Sequence, residues 1–159
     1  MTQTTKVKVG GKAPELKLAD QNGEVHTLKQ YLGKKVLLYF YPKDDTPGCT
    51  TEACNFRDRY KDFSKMGLVI LGVSADSVKS HKKFSDKFDL PFPILSDETK
   101  EVCEAYGVWQ KKKFMGREYM GIVRSSFLID EKGKISKIYE EVKSSEHADE
   151  VKGDIKVRS

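Results

Sequence analysis

Cys49, Cys54 and Cys103 are the three thiols of this sequence. Cys49 follows Thr46-Pro47-Gly48, a helix-start signature in which Thr46 can cap and Pro47 takes the first helical position. A thiol in the first turn of a helix meets free backbone N–H groups and the positive end of the helix dipole. Both favour the charged thiolate. The chemistry this implies is nucleophilic or redox thiol chemistry at an exposed strand–helix junction. The competing reading of Cys49 is a small buried hydrophobe. Zinc fits poorly, because the Cys49–Cys54 spacing is not CxxC and no nearby His or Cys pair completes four ligands. An odd number of thiols in a chain of 159 residues is also no disulfide framework.

In a regular helix Cys49 and Cys54 would lie about 7.5 Å apart along the axis and face directions about 140° apart. Their Cα atoms would then be roughly 8.6 Å apart, beyond the limit of about 7 Å for a disulfide. If the two join, the helix must unwind. Otherwise Cys54 is a helix-face residue with no redox role.

The elements that position these thiols follow from pattern. Residues 35–41 (Lys-Val-Leu-Leu-Tyr-Phe-Tyr) form a continuous apolar run, as in a strand buried on both faces. Pro42 ends it, and a helix is expected from Pro47 to Tyr60 or Phe63, with Phe56, Tyr60 and Phe63 on one face. Residues 68–74 read as a second buried strand. Ser77–Phe88 reads as a helix with Val78, His81, Phe84 and Phe88 in a stripe. Short strands are expected about Asp20-Gln21-Asn22-Gly23 and at residues 91–96, with a helix at 97–106 stopped by Gly107. Strands are expected at 115–123, 125–130 and 135–142, with Lys111-Lys112-Lys113 as a solvated hairpin tip. A last helix at 146–157 carries Ala148, Val151 and Ile155 at helical spacing, weakened by Gly153. This alternation predicts an α/β fold with a central mixed sheet flanked by helices. One domain over 1–159 is expected, with 1–8 as a flexible extension.

Composition narrows the classes. Hydrophobic residues are 38% and charged residues 33%, which excludes a disordered or collagen-like chain. No apolar run reaches the roughly 20 residues that span a bilayer, and the first residues lack the apolar stretch of a secretory signal. A cytoplasmic protein with no membrane partner is expected. The net charge of +5 permits nucleic-acid binding without arguing for it, so no nucleic-acid partner is expected.

The residues around Cys49 resemble a known family. Pro42-(x3)-Thr46-(x2)-Cys49 is similar to the active-site pattern of peroxiredoxins. The run from Asp45 to Asp58 closely resembles the Q-type subfamily, also called bacterioferritin comigratory proteins. Residues 121–130 resemble the family's strand with its active-site arginine, here Arg124, and residues 92–97 match a third block. The resemblance runs colinearly from about Gly11 to Val142. It implies a thioredoxin-like fold and a peroxidase that uses hydrogen peroxide or organic hydroperoxides, with no metal, haem or flavin. Cys49 would be the peroxidatic cysteine, oxidised to sulfenic acid. Thr46 would hydrogen-bond the peroxide, and Pro42 would shield the site from water. Arg124 would stabilise the thiolate and the leaving oxygen, and Glu52 would orient Arg124. Cys54 matches the resolving position of many Q-type members, and the Ser77–Phe88 helix, where others carry that thiol, has none. A thioredoxin or similar dithiol reductant is implied, and a monomer is expected. Cys103 matches no resolving position and reads as half-buried and structural; His26, His81 and His147 match nothing catalytic.

Two other functions compete. A disulfide reductase or exchange protein would need CxxC, which is absent. A redox-controlled binding protein would show no peroxide turnover.

Overall fold

The computed structural model describes residues 7–158, with side chains to residue 156. Most of the proposed N-terminal extension, residues 1–6, lies outside the described residues. In chain order the elements are β1 (Lys17–Ala19), β2 (Val25–Thr27), a 3-10 turn (Lys29–Tyr31), β3 (Lys35–Phe40), α1 (Pro47–Asp58), α2 (Tyr60–Lys65), β4 (Leu68–Ser74), α3 (Val78–Phe88), β5 (Ile94–Ser96), α4 (Glu101–Ala105), β6 (Trp109–Phe114), β7 (Arg117–Ile122), β8 (Ser125–Ile129), β9 (Ile135–Tyr139) and α5 (His147–Arg158).

Seven strands form one mixed sheet in the order β2-β1-β5-β4-β3-β8-β9. β3 pairs parallel with β4 and antiparallel with β8, so its backbone is satisfied on both edges. Its side chains alternate between two cores. Leu37, Tyr39 and Tyr41 pack with Phe56, Phe63, Phe84 and Phe92 on one face. Val36, Leu38 and Phe40 pack with Tyr106, Phe127 and Cys103 on the other. A strand covered on both faces has no place for alternating polar residues, which is why its sequence is an unbroken apolar run. Gly72 of β4 fits this packing, because a Cβ there would lie 2.9 Å from Cζ of Tyr39.

Several boundaries differ from the sequence pattern. The expected long helix from Pro47 breaks at Arg59 (φ −107°, ψ 8°). There the guanidinium reaches the Asn55 carbonyl and Asp149 of α5. The helix expected from Asp97 begins at Glu101, because the buried Asp97 carboxylate accepts the N–H groups of Val102 and Cys103 from outside the helix. Lys111-Lys112-Lys113 is not a hairpin tip. These residues belong to β6, and the turn is Met115-Gly116, both at positive φ. β9 stops at Tyr139 because Glu141 takes a left-handed conformation (φ 51°). α5 forms as expected from its spacing: Ala148, Val151 and Ile155 are buried in the same core as Phe56.

Candidate active site

β3 delivers the chain to the site and α1 carries it away. Between them, residues 41–46 form an irregular segment ending at Thr46, whose extended backbone (φ −104°, ψ 156°) precedes Pro47 at the start of α1. Cys49 stands in the first turn. Its side chain is not at an exposed junction as expected; the residue is buried at 2% exposure, packed with Tyr39, Ala53 and Phe56. The thiol is thus held in an apolar setting against a charged hydrogen-bond donor.

That donor is Arg124. The sequence suggested a strand position, but Arg124 sits in the short connection between β7 and β8. Its carbonyl accepts the Val142 N–H at 3.1 Å, which pins the backbone there. Nη2 donates to Cys49 Sγ at 3.3 Å, and Nη1 donates to Glu52 Oε1 at 2.6 Å. One planar guanidinium therefore holds the thiol and the carboxylate together. Gly48 makes room for it, because a Cβ there would lie 3.1 Å from Arg124 Nη2.

Glu52, three residues after Cys49 on α1, is 1% exposed. Burial pushes its carboxyl up to about 7, and the Arg124 charge and hydrogen bond only partly oppose this. Its second oxygen, Oε2, has no hydrogen-bond partner among the described residues. Burial also works against the charge of Arg124, but Glu52 and Cys49 outweigh it and hold the guanidinium above its ordinary range. The site is therefore cationic toward the sulfur at any physiological pH.

Thr46 does not cap α1 with its side chain. Its hydroxyl donates to the Lys43 carbonyl at 2.9 Å instead. With the proton committed there, the Thr46 oxygen is left as an acceptor. Pro42 is half-buried at the end of β3.

Cys54 lies on the same unbroken α1 as Cys49, half-buried, and all three thiols are free. The two cysteines are not brought together in this state, in keeping with helix geometry. Cys103 is fully buried rather than half-buried. Burial and the neighbouring Asp97 push its thiol far up, so it is held inert. Sequence reasoning missed the room that Gly48 makes for Arg124, whose signal is only a glycine next to Cys49. It also missed the link from Asn55 Nδ2 to the Ser144 and Ser145 carbonyls, which ties α1 to the segment before α5. Asp44, Asp76 and His81 place ligand atoms within 4.8 Å of one another. Those of Asp44 and His81 are already engaged with Tyr41, Ser80 and each other.

A thiol in the first turn of a helix, hydrogen-bonded by a guanidinium beside a mixed sheet, is an arrangement suited to a protein that works through a cysteine thiol. The AhpC/TSA family model matches residues 9–138, and the chain belongs to that family. Among curated relatives it is 53% identical to a putative peroxiredoxin bcp of Coxiella burnetii over 92% of this chain and 97% of that one. It is 50% identical to peroxiredoxin Bcp of Bacillus subtilis over 91% and 92%. Solved structures similar to it include the bacterioferritin comigratory protein of Xanthomonas campestris, described for its alkyl peroxide reduction activity. That structure has 39% identity, a TM-score of 0.88, and covers 95% of this chain and 99% of that one. PrxQ of Xylella fastidiosa matches with a TM-score of 0.90 at 35% identity, over 95% and 96%. The thioredoxin-like fold and the Q-type resemblance read from the sequence both hold.

Proposed function

We propose that the chain reduces hydroperoxides through Cys49 and is recycled through a Cys49–Cys54 disulfide. The observation that carries this reading is the Arg124 guanidinium, 3.3 Å from Cys49 Sγ and held from its other end by Glu52. The Cys49 thiolate attacks the outer oxygen of the hydroperoxide. The S–O bond forms as the O–O bond breaks, and the departing alkoxide or hydroxide takes a proton and leaves as alcohol or water. Cys49 is left as sulfenic acid. Arg124 meets the charge that grows on the departing oxygen in a sheltered site, where such charge pairing acts strongly. The Thr46 oxygen, free as an acceptor, receives the peroxide O–H and aligns the O–O bond. Pro42 covers the segment and limits water at the sulfur.

The Cys54 thiolate then attacks the Cys49 sulfenic sulfur: the S–S bond forms as the S–O bond breaks, and the departing hydroxide takes up the proton that the Cys54 thiol gave up and leaves as water. Helix α1 unwinds beyond Cys49 for this step. A dithiol reductant of the thioredoxin type attacks the disulfide and returns both thiols. Three free thiols suit a reducing compartment, and we place the reaction in the cytoplasm, on a monomer, with neither nucleic acid nor membrane required. Among the described residues no helix is long and apolar enough to cross a membrane.

Peroxide consumption with a dithiol reductant tests the reading. Cys49→Ser is expected to lose all turnover. Cys54→Ser is expected to oxidise once and stall. Cys103→Ala is expected to stay within about twofold of the parent, since the buried thiol acts as a small hydrophobe. Turnover by the Cys49→Ser variant would overturn the assignment.

A further inference from the structure

The segment from Tyr41 to Thr46 carries Pro42 and Thr46 and sets where α1 begins. Irregular backbone of this kind holds one geometry only if something fixes it. The fixing groups are unusually polar for their depth. Asp44 is 7% exposed, and its Oδ1 accepts the Tyr41 hydroxyl at 2.6 Å. Its Oδ2 accepts Ser80 Oγ at 2.8 Å and lies 2.7 Å from His81 Nδ1. The Asp44 N–H donates to Asp76 Oδ2 at 2.8 Å, and the same oxygen accepts Ser74 Oγ at 2.7 Å.

His81 is fully buried. Its Nε2 lies 3.0 Å from the Leu95 carbonyl. A carbonyl only accepts, so Nε2 carries a hydrogen. The ring is thus oriented from behind by β5, with Nδ1 turned to Asp44. His81 occupies a core position of the apolar stripe of α3, beside Phe84, where a hydrophobic residue would pack without needing partners. Asp45 follows with a left-handed backbone (φ 57°), and its carboxylate meets Lys87 Nζ at 2.9 Å. Ser80, His81 and Lys87 of α3 therefore all hold residues 44 and 45.

We infer that Asp44 and His81 are positioning residues of the peroxide site, clamping the segment before α1 onto α3. The clamp fixes Pro42, Thr46 and the start of α1 in attack geometry. It also confines movement to the far side of Cys49 when α1 unwinds to bring in Cys54. The inference rests on Cys49 being the attacking thiolate. It does not involve the Arg124–Glu52 pair, which approaches from β7–β8 and α1.

The test is rapid-quench alkylation and mass spectrometry of the full chain after mixing with hydrogen peroxide. It separates the second-order rate of Cys49 oxidation from the first-order rate of disulfide formation. His81→Leu is expected to slow the first step by about tenfold or more, since small misplacements of reacting groups cost that much. The second step is expected to stay within about twofold of the parent, because the unwinding lies beyond the clamp. His81→Asn, whose amide can still donate to Asp44, is expected to recover most of the first rate. A folded His81→Leu protein that oxidises at the parent rate would overturn the clamp. So would equal slowing of both steps in the Leu and Asn variants, which marks a general packing defect. Should the Leu variant fail to fold, Ser80→Ala decides: slowing of the peroxide step alone supports the clamp, and an unchanged step overturns it. A parent protein whose Cys49 resists peroxide would instead overturn the site assignment itself.

Discussion

At Glu52 two electrostatic effects oppose each other. The Arg124 guanidinium 2.6 Å away favours the carboxylate, and burial favours the neutral acid. Burial wins, with the group pushed up to about 7. For a carboxyl raised in the fold, the folded state binds more protons than the unfolded state between the two values. Stability then falls as pH rises from about 4.5 to about 7 and is level above. At about 1.4 kcal/mol per pH unit, that window is worth on the order of 3 kcal/mol. Urea unfolding across pH 4–8 checks this. Relative to Glu52→Gln, the parent should lose stability over that window; a relative gain would mean that the ion pair outweighs burial. Two substitutions address the guanidinium directly. Arg124→Lys cannot serve sulfur and carboxylate in one plane, and should slow Cys49 oxidation by roughly 10²-fold in stopped-flow measurements. Gly48→Ala places a methyl 3.1 Å from Nη2 and should slow the same step by about tenfold by displacing the guanidinium, with little change in stability.

Helix α1 must be both rigid and breakable. Its start sets the thiol, yet Cys54 reaches Cys49 only if the helix beyond Cys49 unwinds. The contacts that such unwinding loosens are on its far half: Phe56 in the core, Asn55 on the Ser144 and Ser145 carbonyls, and Arg59 on Asp149. Oxidation should therefore lower far-UV helical signal and hydrogen-exchange protection between residues 48 and 57, and loosen the α5 start that α1 contacts. Unchanged protection there would count against the disulfide. The α5 start has a titratable pin of its own. His147 Nε2 lies 2.8 Å from Ser126 Oγ, and Nδ1 lies 2.9 Å from Glu150. Burial lowers this histidine, against the pull of Glu150. A lowered histidine contributes stability that is present above its unfolded value of about 6.5 and lost as pH falls through the folded value. Exchange protection in residues 147–151 should fall in that acid range, and His147→Gln should remove the dependence.

For the whole molecule, most of the frame was legible because it follows from pattern. The run 35–41 announces a strand buried on both faces, and it is the strand that feeds the site. Thr46-Pro47 announces the helix start, and Arg124 and Glu52, singled out by the resemblance, stand in contact with each other, with Arg124 against Cys49. What pattern missed depends on contacts far apart in sequence. The break at Arg59 answers to Asp149, the late start of α4 to Asp97, and the burial of His81 to Asp44. Local propensity carries no information about such partners. Burial of Cys49 was misjudged for the same reason: a helix start suggests solvent, but Tyr39 and Phe56 cover it. The basic run Lys111-Lys112-Lys113 shows a pairing effect, since its register with Tyr119 and Met120 makes it strand rather than turn.

In the proposed cycle Cys49 takes the oxidising equivalent and Cys54 resolves it. The most direct measurement is the mass of the intact reduced protein after one equivalent of hydrogen peroxide, followed by thiol alkylation and peptide mapping. A rapid loss of two hydrogens, a Cys49–Cys54 linkage, and Cys103 fully alkylated are expected. A stable Cys49 sulfenic acid with Cys54 still alkylated, a linkage through Cys103, or three unreacted thiols would contradict the cycle.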